Sequence, residues 1–236
     1  MEDLTSSIEI DDLRLRIGEP LLALFDADFF ISYLWDEMDQ RFFSGININM
    51  PLENIERYNN AIQFRDPITP VLQKRRQSSL VSDIIHDQDL LESEYYKNFL
   101  DIDGLRYGLM FFVFENDRNI CDLRIWRRVD REDFNNCHKD LLNTIGASFS
   151  NVMIRLDREA LERSSGRRLA LNKEFYLTPR EAEIADQVLI GDTDDEICHK
   201  LGISKSTLRT HITSIFRKTG VRRRSQLSQV LRPRDH

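Results

Sequence analysis

The sequence predicts an α+β protein: an antiparallel sheet flanked by helices in the N-terminal part, followed by an all-α four-helix domain. Three observations carry this. Residues 28–35, 107–114 and 120–127 alternate or run apolar over strand lengths bounded by polar loops. From Thr178 onward, short amphipathic segments recur, opened by a hydroxyl residue and closed by glycine. Charge divides at the same place: residues 166–236 hold 14 Lys+Arg against 9 Asp+Glu, a net of +5, whereas residues 1–165 hold 19 against 31, a net of −12. An acidic part repels phosphate and a basic part attracts it, so the two parts are expected to do different jobs.

In chain order, Asp11–Phe25 reads as a helix with Leu13, Ile17, Leu21, Leu22, Leu24 and Phe25 along one broad face. Asp28–Trp35 is a strand, with Phe29, Ile31, Tyr33 and Trp35 on one face and Phe30 and Leu34 on the other. A short strand is expected around Arg41–Phe43. Pro51–Phe64 and Pro67–Arg76 read as helices broken at Asp66-Pro67, and Leu90–Leu100 as another. Tyr107–Phe114 and Ile120–Arg127 form a hairpin around the polar loop Glu115–Asn119. Asp133–Glu162 is a long amphipathic helix in which Leu142, Ile145, Phe149, Val152 and Leu156 fall at alternating three- and four-residue steps. At about 1.5 Å per residue that helix outruns a small sheet, so the seam is assigned to a homodimer contact; the alternative is a helix packed wholly on its own sheet. The polar, glycine-containing stretch Arg163–Arg168 marks a boundary. The expected division is a sensor, regulatory and dimerisation domain over 1–162, a linker over 163–176 and a DNA-binding domain over 177–236.

Composition narrows the function classes. The chain has 236 residues, 41% hydrophobic and 31% charged. No apolar run approaches the ~18 residues of a membrane span, and the acidic, polar first residues do not resemble a signal peptide. A cytoplasmic protein without membrane contact is expected. Cys121, Cys137 and Cys198 are scattered and form neither a disulfide framework nor a zinc site. Five histidines show no metal spacing, and there is no glycine-rich phosphate loop or Ser-His-Asp signature. No metal, no cofactor and no enzymatic activity are expected.

The C-terminal segment carries the chemistry. Thr178-Pro179-Arg180-Glu181 is a capping box with proline at the first helical position, opening a helix that buries Ile184, Ala185, Val188 and Leu189 and stops at Gly191. Thr193-Asp194-Asp195-Glu196 repeats the device for a second helix that buries Ile197 and Leu201, and Gly202 supplies the turn. Ser204 caps the third. There Leu208, Ile212, Ile215 and Phe216 face the core, while Ser206, Arg209, Thr210, Thr213 and Arg217 lie opposite, with Lys205 beside them. Short hydroxyls and long cations suit a major groove: arginine pairs with guanine N7 and O6, and threonine offers a hydroxyl or a methyl. Arg222-Arg223-Arg224 is placed beside phosphates. A fourth helix, Ser225–Leu231, sets Leu227, Val230 and Leu231 on one side.

From Leu177 to Val221 this order resembles the helix-turn-helix domain of LuxR-type (LuxR/FixJ family) transcription regulators. The resemblance implies double-stranded DNA as partner. The residues matching Arg209, Thr210 and Thr213 point at base edges, and Ser204, Lys205, Thr207 and His211 lie nearer the backbone; Arg217, Lys218, Arg222, Arg223 and Arg224 join that backbone group. His211 has an equal claim as a half-buried residue that orients the helix. The resemblance also implies a homodimer with its two reading helices about one DNA turn apart and an activator working with RNA polymerase. One departure is the cluster Asp192, Asp194 and Asp195, where relatives often carry amides or lysines; it is expected to weaken non-specific binding.

The N-terminal part resembles PAS/GAF-like sensors. Tyr58, Asp66-Pro67 and Gly108 follow the order found in LuxR-type sensors, where the tyrosine and aspartate of acyl-homoserine-lactone receptors touch the signal and two tryptophans pack around its ring. No tryptophan stands near Ile55 or Val81, so a lactone is not favoured. The resemblance implies a small-molecule effector, of a quorum-sensing type or another, with Tyr33, Trp35, Tyr58 and Asp66 as candidate ligand residues; Asp66 can instead cap the helix after Pro67. The alternative is control by a protein partner docking on the acidic domain. A phospho-acceptor receiver domain is weighed and set aside: its acceptor would be Asn47, which cannot be phosphorylated, and no lysine stands at the later strand end.

Overall fold

Alternation along the first strand decides how the N-terminal part is layered. In the computed structural model, which describes residues 2–37 and 39–230, Phe29–Asp36 (β1) sends Phe29, Ile31, Tyr33 and Trp35 into one apolar cluster and Phe30 and Leu34 into another. β1 pairs antiparallel with Arg41–Ile48 (β2) and Arg118–Arg128 (β5); β5 pairs with Leu105–Glu115 (β4), and β4 with the short Ser79–Leu80 (β3). The result is a five-stranded sheet of order β2-β1-β5-β4-β3. Phe29 lies opposite Trp126, Phe30 opposite Ile125 and Phe111 opposite Leu123, which aligns like faces across strands. The β4–β5 hairpin closes on Asn116-Asp117 rather than on the five-residue loop expected. Asn116 takes a left-handed φ of +55°, which asparagine tolerates.

Each face of the sheet is covered. On one, Glu2–Leu24 (α1) and the first half of Asn136–Phe175 (α5) bury Leu21, Leu22, Leu142, Phe149 and Met153 against Leu109, Phe111, Leu123 and Ile125. Leu24, expected on that face, is exposed. Gly146 lets α5 lie close on the sheet, since a Cβ there would stand 2.6 Å from the Phe111 ring. On the other face, Leu52–Asn60 (α2), Thr69–Arg75 (α3), Asp87–Glu92 (α4) and the turns at 95–103 bury Ile55, Tyr58, Leu72, Leu90, Tyr95 and Phe99 against Tyr33, Met110, Phe112 and Trp126. The helix expected over Leu90–Leu100 is broken because Ser93 Oγ donates to Leu90 O at 2.6 Å and accepts from Tyr96 N at 3.0 Å, ending α4 and starting a separate turn.

Two expectations for the long helix are corrected. Leu142 and Phe149 of the heptad-like seam lie in the core just described, and Ile145 and Leu156 pack partly against it; Val152 is half-buried. The sheet has taken the face assigned to a dimer contact, as a regular apolar stripe is buried by whichever surface reaches it. And residues 163–175, read as linker, continue α5 without a break. The cost of Gly166, about 1 kcal/mol in a helix interior, is offset where Ser164 and Arg167 bond Asp186 and Leu171 enters a second core.

Contacts group residues 8–157 into one unit and 158–230, with 2–7, into another. In the second, Pro179–Ile190 (α6), Asp194–Leu201 (α7), Lys205–Thr219 (α8) and Arg224–Val230 (α9) surround Ile184, Ala185, Val188, Ile197, Leu208, Ile215 and Leu227. Leu231 lies outside the described residues. No described helix is long and apolar enough to cross a membrane.

Candidate functional site

The three helices α6, α7 and α8 are started and stopped by their own side chains. Thr178 Oγ1 accepts from Glu181 N at 3.3 Å and Glu181 Oε2 accepts from Thr178 N at 2.7 Å. Thr193 and Glu196 repeat this at 3.3 and 2.6 Å, and Ser204 Oγ accepts from Thr207 N at 3.1 Å. Gly202, at φ +60°, turns the chain between α7 and α8. Because Leu208 and Ile215 are buried, with Ile212 and Phe216 packed beside them, the opposite side of α8 exposes Ser206, Arg209, Thr210, Thr213 and Arg217. The Thr210 and Thr213 hydroxyls donate back to Ser206 O at 3.1 Å and Arg209 O at 2.8 Å. Their methyls and lone pairs remain for an outside partner. Among the described residues, no hydrogen bond or ion pair engages the Arg209 guanidinium.

The cations around α8 fall into two groups. Arg217, Arg222 and Arg223 are exposed, Thr207 is exposed and His211 is half-buried. Others are held by acids. Lys205 Nζ lies 2.6 Å from Asp195 Oδ1, and this bond raises the amine above its ordinary pKa. Lys200 pairs with Asp192 at 2.9 Å, and Arg224 pairs with Asp194 and donates to the Asp192 carbonyl. The aspartate cluster noted in the sequence thus holds two of the cations expected at phosphates. Lys218 needs a correction. Its ammonium turns inward, donating to Glu181 Oε2 at 2.5 Å and Tyr176 O at 3.0 Å, so it is a strut of the fold rather than a phosphate contact. Glu181, 5% exposed, is the hub. Burial opposes its charge, yet bonds from Lys218, Ser214 and Thr178 outweigh this and hold its pKa at about 2. Sequence reasoning found the cap but not the hub, because Ser214 and Lys218 lie 33 and 37 residues away.

In the unit of residues 8–157, three of the four candidate ligand residues meet. The rings of Tyr33 and Tyr58 stack with centroids 5.3 Å apart. The Tyr58 hydroxyl donates to Asp66 Oδ2 at 3.1 Å and accepts from Arg124 Nη1 at 2.7 Å. Trp35 sits at the rim, edge-on to Phe42 at 4.7 Å, with its indole N–H on Glu37 at 3.0 Å. Asp66 is corrected: Oδ1 accepts from Ile68 N at 2.8 Å and Thr69 N at 3.0 Å, and Oδ2 also takes the Thr69 hydroxyl, so it caps α3 and has no oxygen left for a ligand. Tyr58, which donates and accepts within the fold, is likewise occupied. Two missed residues dominate this core. Arg124, 2% exposed, stacks on Phe42 at 4.4 Å and Tyr33 at 4.9 Å and donates from Nε to Asp122 Oδ2 at 2.8 Å. Burial pushes the Asp122 carboxyl up while Arg124 pulls it down, the net being upward. Opposite charges two apart on a strand share a face; that was the available signal.

Comparison with known proteins places these geometries in context. The family GerE, "Bacterial regulatory proteins, luxR family", matches residues 176–231. The chain is 42% identical over 58 residues to the spore germination protein GerE of Bacillus subtilis, a match covering 23% of this chain and 78% of that one. It is 29% identical over 180 residues to the transcriptional activator protein ExpR of Dickeya dadantii, covering 73% of this chain and 70% of that one. Against the CsgBAC operon transcriptional regulatory protein of Escherichia coli, identity is 42% over 50 residues, and the match spans 23% of that relative's length. Among solved structures, a GAF domain/HD domain protein from Geobacter sulfurreducens aligns with TM-score 0.50 and 12% identity over 65% of this chain and 97% of that chain, a likeness of fold alone.

Proposed function

The chain belongs to the LuxR family of bacterial regulatory proteins, and on that premise we propose that it is a dimeric, sequence-specific transcription activator controlled by a small-molecule effector held in its N-terminal α+β domain. One observation carries the DNA-reading part: α8 buries one face and leaves Arg209, Thr210 and Thr213 exposed together on the other. Arg209 and the two threonines are proposed to contact base edges, and Ser204, Lys205, Thr207, His211, Arg217, Arg222, Arg223 and Arg224 to contact or approach the backbone. The domains are proposed as a regulatory domain through residue 162 and a reading head from 177, joined by the helical stretch between.

The dimer contact is proposed on the flank of α5 that the sheet leaves over. There the half-buried Ile145 and Val152 stand beside the exposed Leu141 and Ser148, one helical face at three- and four-residue steps. Similarity to a protein named as a transcriptional activator supports the direction of control and, with it, RNA polymerase as partner. Control works by population shift: an effector that prefers one dimer geometry aligns two reading heads with two half-sites. Selection of duplexes from a random pool by the full-length protein tests this. Two inverted half-sites about one helical turn apart are expected. Recovery of unenriched sequence contradicts DNA reading, and a single unrepeated half-site contradicts the dimer.

A further inference from the structure

The unit that holds α6 to α9 has a cleft of about 440 Å³ between the last turns of α5 and the start of α6, within the ~300–1,000 Å³ of sites that take ligands. Helical spacing builds its walls. Arg168 and Asn172 stand four apart on α5; on α6, Glu183 follows Pro179 by four and Arg180 by three. Arg180 is spent inside the fold, with Nη1 2.6 Å from Glu183 Oε2 and Nη2 on the Leu201 carbonyl. Arg168 is not. Its Nε lies 3.4 Å from Ser164 O and 3.9 Å from Asp186 Oδ2, and Asp186 is already held by Ser164 and Arg167. One carboxylate thus faces two guanidiniums, and one positive charge is left over. Acceptors are left over as well. Asn172 Oδ1 is buried without a partner among the described residues, and so is Oε1 of Gln187, one turn beyond Glu183 on the same face of α6. Buried polar atoms are nearly always paired, and leaving them unpaired is costly. Leu169, three residues before Asn172, is exposed, as is Tyr176 on the connector between the two helices.

We propose that this cleft docks an extended peptide segment of a protein partner, one that carries a single carboxylate. It does so whether or not the N-terminal unit binds an effector. The carboxylate answers the uncompensated charge of Arg168. Backbone N–H groups, one per residue, answer the oxygens of Asn172 and Gln187, and an apolar side chain beside the acid covers Leu169. Nucleic acid answers fewer of these groups: a phosphate backbone carries no donor for the two amide oxygens, and the Glu183 carboxylate stands in the cleft as a like charge. A small effector is also a poorer match, because such sites bury most of their ligand between apolar walls, whereas Arg168, Asn172, Arg180 and Glu183 are polar and only half-buried.

The test pans random heptapeptides displayed on phage against the immobilised full-length protein, with excess duplex DNA present to occupy α8, and then measures the selected peptides by fluorescence anisotropy. They should share one Asp or Glu, and its replacement by Asn or Gln should weaken binding at least about ten-fold. Arg168→Gln should weaken it as much. Asn172→Leu should weaken it several-fold while leaving Tm unchanged or higher, because the oxygen removed bonds nothing in the fold; an amide with a purely structural role loses Tm and leaves peptide affinity alone. The salt dependence of DNA binding separates the two classes of macromolecule. Parent and Arg168→Gln should give equal slopes of log K against log salt; a slope shallower by about 0.9 in the variant makes Arg168 a phosphate contact and overturns the proposal. Panning that enriches no sequence, selected peptides without a shared acid, or peptides that bind both variants as tightly as the parent overturn it too.

Discussion

Replacing Asp194 and Asp195 together by asparagine should make the protein bind DNA more tightly and with a steeper dependence on salt. Asp195 holds Lys205 at 2.6 Å, and Asp194 holds Arg224. The Lys205 and Asp195 side chains are 64 and 74% exposed, those of Arg224 and Asp194 37 and 54%. Pairs so exposed stabilise by about 0–1 kcal/mol, and the two charges at the start of α7 add about 0.3–1 kcal/mol each through the helix dipole. The variant should therefore stay folded. Each cation released to a phosphate steepens the slope of log K against log salt by about 0.9, so two steepen it by about 1.8. Over a four-fold drop in salt, the variant then gains about 12-fold more affinity than the parent does. Fluorescence anisotropy on a labelled duplex of arbitrary sequence, at four or more salt concentrations, measures both slopes. Equal slopes would mean that Lys205 and Arg224 do not reach phosphate once released, refuting the idea that the aspartates mask them.

Three further outcomes test the packing and electrostatics. Glu181, with its pKa held at about 2 against an ordinary 4.5, lends stability that is complete above pH 4.5 and fades as pH falls toward 2; after allowance for solvent screening this is about 1–2 kcal/mol. The Tm gap between the parent and Glu181→Gln should thus narrow between pH 6 and pH 3, and a constant gap would contradict the hub. Gly146→Ala forces a methyl to within 2.6 Å of the Phe111 ring, and should cost about 1–3 kcal/mol in a thermal melt. An unchanged Tm would mean that α5 rests less closely on β4. Phe149→Glu buries an unpaired charge at a position 4% exposed, so the circular dichroism melt should collapse to lower temperature. A folded, stable monomer in light scattering would instead restore Phe149 to a dimer contact.

What was legible in the sequence was local. The alternation of Phe29 to Trp35 placed both faces of β1 correctly, and the two Thr-x-x-Glu boxes marked the starts of α6 and α7 because their bonds close within three residues. The exposed side of α8 followed from the spacing of Leu208, Ile212, Ile215 and Phe216. What was hidden depends on distance along the chain. Arg124 reaches Tyr58 across 66 residues and Lys218 reaches Glu181 across 37, and no periodicity encodes such partners. A seam such as Leu142–Leu156 specifies an apolar face but not what covers it, and here the chain's own sheet does. Asp66 shows the opposite case: bonds two and three residues on claimed a side chain that family resemblance had assigned to a ligand. Gly166 marks the limit of propensity, since tertiary contacts to Asp186 carry the helix through it.

The central claim is that α8 reads bases, and Arg209→Ala tests it most directly. Affinities of the parent and the variant are measured on the selected site and on every single-base variant of one half-site, at one fixed salt concentration. A loss of about 1–3 kcal/mol on the selected site is expected, together with relaxed preference at one base pair, a guanine contact in the major groove. A loss spread evenly over all sequences, or none at all, would contradict it, because Arg209 would then be touching phosphate or nothing.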